Sequence, residues 1–403
     1  MVISQACVGV MPLWKLRVGV EAYYLAQVAS GLDEYYTGSG EADGVWLGGG
    51  VAGLDLSGTV DAGDLRAVLA GLAPGTGLTP NGTRLVAHAR RVPGFDLMFA
   101  VSKSVSVVYA LGDPLVQAAV VDACEAAVAE ALGWLEREAC FVRRGTNNHK
   151  MMDDPAGFGT RRMIADGFVA AQFRHRTSRA GDPHLHWHVL VANLARGIDG
   201  HWTALDGTAL YTAKRAVGVL FQTVMRRELS LRLGISWGPV HDSAEIAGIP
   251  GRVLREFSQR SEQIAEWMDT HGLSGQPAKD AALLETRTTK QTVDDFTVVE
   301  AEWRRRADAL GWGTTDLDTL LTATGHEIVA VDGDRWTVQE RVWGAGGSTV
   351  TTRVVTFDEW VDRLLTTRVT EKSGTFTRFD LTQAIAVALP AGSTITLVEA
   401  TVC

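Results

Sequence analysis

Asp182-Pro-His-Leu-His-Trp-His-Val-Leu-Val-Ala-Asn193 is the stretch whose reading decides the fold. In an extended strand successive side chains alternate faces, so His186 and His188 point one way while Trp187, Val189 and Val191 point the other, into apolar packing. A third imidazole, His175, ends the upstream run Gly167-Phe-Val-Ala-Ala-Gln-Phe-Arg-His175. Between the runs lies Ser178-Arg-Ala-Gly-Asp-Pro183, rich in the residues that turn a chain back on itself. Folding there brings His175 level with His186 and His188. Three imidazoles with no thiolate or carboxylate among them then share one sheet face, an arrangement that holds a divalent metal and leaves coordination positions open for chemistry. His184 falls in the turn and is read as lying outside the ligand set. Histidines at i and i+2 alone are ordinary polar strand residues; the third, across a hairpin, makes the metal reading the stronger one.

The 403 residues carry a formal net charge of −9 and are 46% hydrophobic. That is enough apolar material for a large core and about two or three domains. No apolar run has membrane-span length, and the N-terminus lacks a secretory pattern. Cys7, Cys124, Cys140 and Cys403 are too scattered for a thiolate zinc site and fit a reducing cytoplasm. The acidic total hides a basic stretch. From Glu136 to Arg179 there are nine Arg/Lys against five Asp/Glu, leading into the histidine hairpin with Arg174, Arg176 and Arg179. A locally positive surface beside the presumed site fits a polyanionic substrate, and these three arginines are the candidate contacts.

The remaining pattern predicts α+β, an antiparallel sheet flanked by helices. Strands are expected from Met11 and over Gly94–Ala100, with helices over 20–30, 61–72, 102–111, 114–140, 212–233, 250–271 and 298–310. Past Gly311 the character changes. Short strands near 327–331, 335–338 and 350–355 and a helix over 379–389 form a small C-terminal extension.

Tyrosine occurs six times, and four of the six are paired as Tyr23-Tyr24 and Tyr35-Tyr36. One such pair is ordinary amphipathic packing. Two, in a chain with a candidate metal site, suggest a phenol that attacks phosphorus. Asp96 could orient a ligand histidine or accept the phenolic proton, and Lys103, at the entrance of the helix after the Gly94–Ala100 strand, could contact a phosphate.

Taken together, the paired tyrosines, Gly94-Phe-Asp-Leu-Met-Phe-Ala-Val-Ser-Lys-Ser-Val-Ser106 and Phe173-Arg-His-Arg-Thr-Ser-Arg-Ala-Gly-Asp-Pro-His-Leu-His-Trp-His-Val-Leu-Val-Ala-Asn193 resemble the MobF (TrwC/TraI-type) conjugative relaxases of the HUH endonuclease superfamily. The resemblance covers about Met11 to Trp312. It implies a relaxase fold and site- and strand-specific nicking of single-stranded DNA at a plasmid transfer origin. Tyr23 would form the 5′-phosphotyrosine and release a 3′-hydroxyl, Tyr35 would serve a second transfer, and Tyr24 and Tyr36 would support them. His175, His186 and His188 would hold the metal beside Asp96, and helices between about 212 and 310 would clamp the DNA. Relaxosome and coupling proteins would be further partners, with no membrane insertion.

Three departures stand out. Residues 1–10 precede the usual first strand and are read as a disordered extension. No GxxxxGK[ST] is present for nucleotide binding, so 313–403 is expected to be a linker and the truncated start of a helicase-type region, with no nucleotide cofactor. His184 and Trp187 replace residues more usual in the family. Imidazoles favour later transition metals such as Zn²⁺, while availability favours Mg²⁺ or Mn²⁺, which is the expectation here. Two competing readings are a non-catalytic single-stranded-DNA-binding remnant and a three-histidine oxygenase or hydrolase acting on a small molecule. The second gives the tyrosine pairs no role.

Overall fold

The structure, a computed structural model, describes residues 11–19, 42–75, 84–86, 92–144, 161–241, 243–286, 296–323, 331–332, 335–344, 347–356, 377–389 and 392–402. The helix expected over 20–30 and both tyrosine pairs lie outside the described residues, as does most of the strand expected over 327–331.

The centre is a five-stranded antiparallel sheet. Its strands are β1 (Leu13–Lys15), β2 (Val45–Leu47), β3 (Gly94–Ala100) and, after the two-stranded ribbon β4 (Phe141–Arg144) and β5 (Arg161–Ile164), β6 (Ala170–Thr177) and β7 (Pro183–Ala192). Their order is β1-β3-β7-β6-β2. The two histidine-bearing strands therefore sit near the middle, where both neighbours hold them in register. A minor ribbon, β8 (Ala195–Arg196) and β9 (Trp202–Thr203), follows.

Strand alternation sorts the two faces. Phe95, Leu97 and Phe99 pair with Val191, Val189 and Trp187 and join the larger apolar core. That core is completed by the helices α2 (Lys103–Leu111), α3 (Pro114–Ala139) and α4 (Gly207–Leu233). α3 starts where Asp113 accepts the Val116 amide at 2.8 Å and Pro114 fixes the first turn. Its inward stripe includes Cys124, Val128, Leu132 and Leu135, with Val121 partly buried against it and Ala123, Ala127 and Ala131 letting neighbours approach closely. Each such Leu, Val or Phe removed from water stabilises by about 1.5–3 kcal/mol. The opposite face is covered at one end by α1 (Ala62–Ala70), whose Leu65, Val68 and Leu69 pack with Leu16, Trp46, Phe173 and Leu190. At the other end it carries the histidines.

The glycine run at 48–50 has a defined task. Gly49 and Phe168 both donate to Glu136 Oε1, at 2.8 and 2.6 Å, and a Cβ on Gly49 or Gly50 would press into the backbone at Asp166–Phe168. The run clasps the chain entering β6.

Helices α5 (Gly251–Glu256), α6 (Gln259–Thr270), α7 (Gln276–Glu285), α8 (Phe296–Ala309) and α9 (Thr314–Ala323) follow. The single helix expected over 250–271 is thus two. The break has a cause: the Gln259 amide donates to Asp182 Oδ2 at 2.9 Å and does not continue the helix. α4 begins at Gly207, five residues before the expected Thr212, because Asp206 caps it through the Thr208 amide. β10 (Val331–Asp332), β11 (Arg335–Gly344) and β12 (Gly347–Thr356) form a small antiparallel sheet in which β11 and β12 are longer than the sequence suggested. Two last helices, α10 (Arg378–Ala388) and α11 (Ile395–Val402), bury Ile385, Ala386, Leu389, Ile395 and Val398 in the same core as the central sheet.

Candidate metal centre

β6 and β7 bring the three imidazoles together as the alternation requires. His175 is the register partner of His186, and His188 follows two residues later on the same face. The ring centroids lie 5.3 Å (His175–His186), 5.1 Å (His175–His188) and 5.2 Å (His186–His188) apart. One nitrogen from each ring falls within 4.8 Å of the others, and all three residues are buried.

The surroundings set the tautomers. His188 Nδ1 donates to both Asp96 carboxylate oxygens, at 2.9 and 3.0 Å. His186 Nδ1 donates to the His184 carbonyl at 2.8 Å. In both rings the proton on Nδ1 leaves Nε2 as the lone-pair donor, the usual outer-shell arrangement of ligating histidines. Burial holds the His186 pKa well below its ordinary value, helped by the neighbouring His184, His188 and His175. His186 is therefore neutral near pH 7 and ready to ligate. Three imidazole nitrogens on one face and one outer carboxylate fit a divalent cation with open positions.

Asp96 reaches the site because it sits on the histidine face of β3, between Phe95 and Leu97, which face the core. Its neighbours in the sequence motif do a different job. Ser106 Oγ accepts from the Leu185 amide at 3.1 Å, Ser104 Oγ from the Ile246 amide at 2.7 Å, and Ser104 N donates to Glu245 at 2.7 Å. Lys103 Nζ donates to the Pro183 carbonyl at 2.7 Å, and burial lowers its pKa to about 8 against the opposing pull of Asp182 and Glu245. The Ser102–Ser106 segment thus rivets the start of β7.

The turn joining the ligand strands is held from outside. Asp182, 1% exposed, accepts from Arg306 at 3.0 Å and from the Gln259 amide. Arg306 also donates to the Glu256 carboxylate and carbonyl and lies over the Phe257 ring. Trp303 Nε1 donates to the Gly181 carbonyl at 2.8 Å. These side chains belong to α5–α8, the region expected to close over DNA, so that region grips the metal-ligand hairpin directly. Sequence reading missed Asp182, Trp303 and Arg306. Asp182 was quoted only as a turn residue, and nothing in the spacing ties it to a helix more than a hundred residues away.

The register also contains a bulge. His175 pairs with His186 but Thr177 pairs with Pro183, so His184 and Leu185 together oppose Arg176. The His184 ring stacks on His186 with centroids 4.6 Å apart. Of the basic residues expected to meet a polyanion, Arg176 lies over the Phe296 ring at 3.4 Å, and Arg179 sits in the turn close enough to Arg260 to lower its pKa, after burial. Arg174 is the register partner of Trp187 and so lies on the core face, where it pairs with Glu125 at 3.3 Å. The structure does not bring Arg174 to the histidines. The positions of Tyr23, Tyr24, Tyr35 and Tyr36 fall outside the described residues.

Comparison with known proteins agrees with this geometry. Residues 18–310 match the family described as TrwC relaxase. The multifunctional conjugation protein TraI of Escherichia coli is 30% identical over 292 residues, which is 70% of this chain and 15% of that protein. The chain therefore spans a small part of the length of that relative. A copper-bound structure of conjugative relaxase TrwC with oriT DNA superposes with a TM-score of 0.64 at 30% identity, covering 75% of this chain and 99% of that one. A metal-bound TrwC–oriT complex gives 0.62 at 30% identity with the same coverage.

Proposed function

The chain belongs to the TrwC relaxase family, and from that premise we propose that it nicks single-stranded DNA at a plasmid transfer origin by tyrosine transesterification. The observation that carries the reading is the buried His175–His186–His188 cluster with Asp96 fixed on His188. A divalent ion held there supplies positive charge for the non-bridging oxygens of a phosphodiester. The protein's own part is to hold the three imidazoles together and aimed. Asp96 orients His188, the His184 carbonyl orients His186, and neutral His186 leaves its Nε2 open.

In the proposed reaction the Tyr23 phenolic oxygen forms the new bond to phosphorus as the bond from phosphorus to the 3′-oxygen breaks. The phenolic proton passes to a base, and the departing 3′-oxygen takes up a proton. The product is a 5′-phosphotyrosyl chain and a free 3′-hydroxyl. One phosphoester replaces another, so the step is reversible without ATP. Tyr35 would carry the second transfer, with Tyr24 and Tyr36 in support. Mg²⁺ or Mn²⁺ is the proposed ion in the cell, with tighter Zn²⁺ binding in vitro. Arg176 and Arg179 are the proposed DNA contacts at the turn, relaxosome and coupling proteins the proposed partners, and the cytoplasm the proposed location. Among the described residues no helix is long and apolar enough to cross a membrane.

The test is a labelled single-stranded oligonucleotide from DNA neighbouring the gene, incubated with the protein and Mn²⁺ and run on a denaturing protein gel. The wild-type chain is expected to carry label. Tyr23→Phe is expected to lose the adduct while keeping oligonucleotide binding within about threefold. An adduct formed undiminished by the Phe variant rules out Tyr23 as the nucleophile.

A further inference from the structure

The face of the sheet that bears the histidines is covered by α1 at one end, where Leu16, Trp46, Phe173 and Leu190 are buried. Among the described residues the cover stops short of the β1 edge, where Trp14 is exposed. Trp14 is the register partner of Asp96, and directly paired residues in an antiparallel ladder project to the same face. The flanking residues agree: Leu13 belongs to the core on the far side and Leu16 to the cluster on the near side. The indole therefore stands beside the carboxylate that orients His188. One strand spacing, roughly 5 Å, separates its backbone from that of Asp96, which itself bonds His188. Yet Trp14 is 50% exposed, whereas Asp96 is 5% exposed. The adjacent Lys15 and nearby Arg17 are exposed at the same edge.

An exposed indole on the face of a phosphodiester site, at a sheet edge that also carries the exposed cations Lys15 and Arg17, has the chemistry of a stacking platform for single-stranded nucleic acid. Every base offers a π-face to an aromatic ring, and the basic side chains track the backbone. We propose that Trp14 is a nucleobase-stacking residue that holds a base of the single strand near the scissile phosphate. The proposal rests on the reading of the chain as a single-stranded DNA nickase. The occupant is a nucleobase and not an apolar protein surface, because among the described residues the other large apolar side chains of that face, Leu16, Trp46, Phe173 and Leu190, are buried. Of the residues next to it in the chain, Lys15 is an exposed cation and Leu13 is buried in the core on the far side.

The test uses a fluorescein-labelled dT 20-mer and a fully abasic 20-mer with the same sugar–phosphate backbone. Binding is followed by anisotropy for the wild type, Trp14→Ala and Trp14→Phe in the full chain. The wild type is expected to prefer dT over the abasic strand. Trp14→Ala should weaken dT binding about tenfold while leaving abasic binding unchanged, so the preference shrinks by the same factor. Trp14→Phe should recover to within about threefold of wild type. Between 50 and 200 mM salt both proteins lose affinity steeply through their phosphate contacts, but the tenfold ratio between them should hold. Equal binding of dT by wild type and Trp14→Ala overturns the proposal. So does a variant that weakens dT and abasic strands alike, or that melts several degrees lower, since either marks a structural role. If the wild type binds neither strand, the nickase reading itself fails and takes the proposal with it.

Discussion

Two arginines, one half-buried and one wholly buried, hold two parts of this molecule to its centre, and they do so by opposite means. Arg306 reaches from α8 to the turn of the metal-ligand hairpin and meets carboxylates, Asp182 and Glu256. Arg226, wholly buried on α4, donates to the neutral carbonyls of Ala386 and Leu389 at 3.2 and 3.3 Å, at the end of α10. Burial lowers the Arg226 pKa to about 9. Burial raises the Asp182 pKa in spite of Lys103 and Arg306 beside it. A carboxylate kept ionised against its desolvation contributes little net stability. What it contributes is direction: a fixed angle between the hairpin and α5–α8. The Arg226 contacts tie a helix end to a core that already exists. The first device orients a site; the second attaches a segment.

The sharpest way to break this contrast is Arg306→Gln. It leaves Asp182 buried without the guanidinium that bonds it, and a loss of about 3–5 kcal/mol in urea unfolding is expected. A drop of about tenfold in Mn²⁺ affinity, read by titration calorimetry, should accompany it. Adding Asp182→Asn should restore much of the stability but not the metal affinity. If both return together, the pair is merely structural.

The next effect concerns pH. The folded-state pKa of Lys103 lies near 8, below its unfolded value of 10.5. Between these values the unfolded chain holds a proton that the folded chain has released, so stability rises with pH across this window. The rise is on the order of 3 kcal/mol at most. Lys103→Met should flatten it in urea titrations run from pH 7.5 to 10. A slope unchanged in the variant would assign the effect to another group.

The smallest effect is expected for Arg226→Met, which keeps volume but removes the donors to Ala386 and Leu389. A loss of about 1–3 kcal/mol is expected, with Mn²⁺ affinity unaltered. Weakened metal binding in this variant would erase the distinction between the two arginines.

Periodicity made the site legible. Alternation along Leu185–Ala192 placed His186 and His188 on one face and Trp187 and Val189 on the other, and a turn-rich link was enough to bring His175 across. Asp96 followed from the same alternation in β3. The long helices were visible because an inward stripe and a Pro or Gly boundary coincide at α3 and α4. What escaped was decided by contacts distant in sequence. The break at Phe257–Ser258 depends on Asp182, and the roles of Lys103 and Arg174 depend on which surface of the sheet each meets. Arg174 was readable in principle, since its odd separation from His175 puts it on the core face. α11 starts where Thr394 accepts the Leu397 amide at 3.2 Å, and its place depends on burying Ile395 and Val398 against a core built from residues distant in sequence.

The bulge opposite Arg176 has a consequence for how such a strand tolerates change. On the turn side of it, His184 and Leu185 occupy one rung between them, so the odd–even count restarts there. Insertions or deletions near the tip of the hairpin can be absorbed before they reach His186. One residue gained or lost between His186 and Ala192 has no such buffer and would send imidazoles into the core and Trp187 into solvent. Homologous chains can therefore vary in length up to the bulge and must keep strict count beyond it.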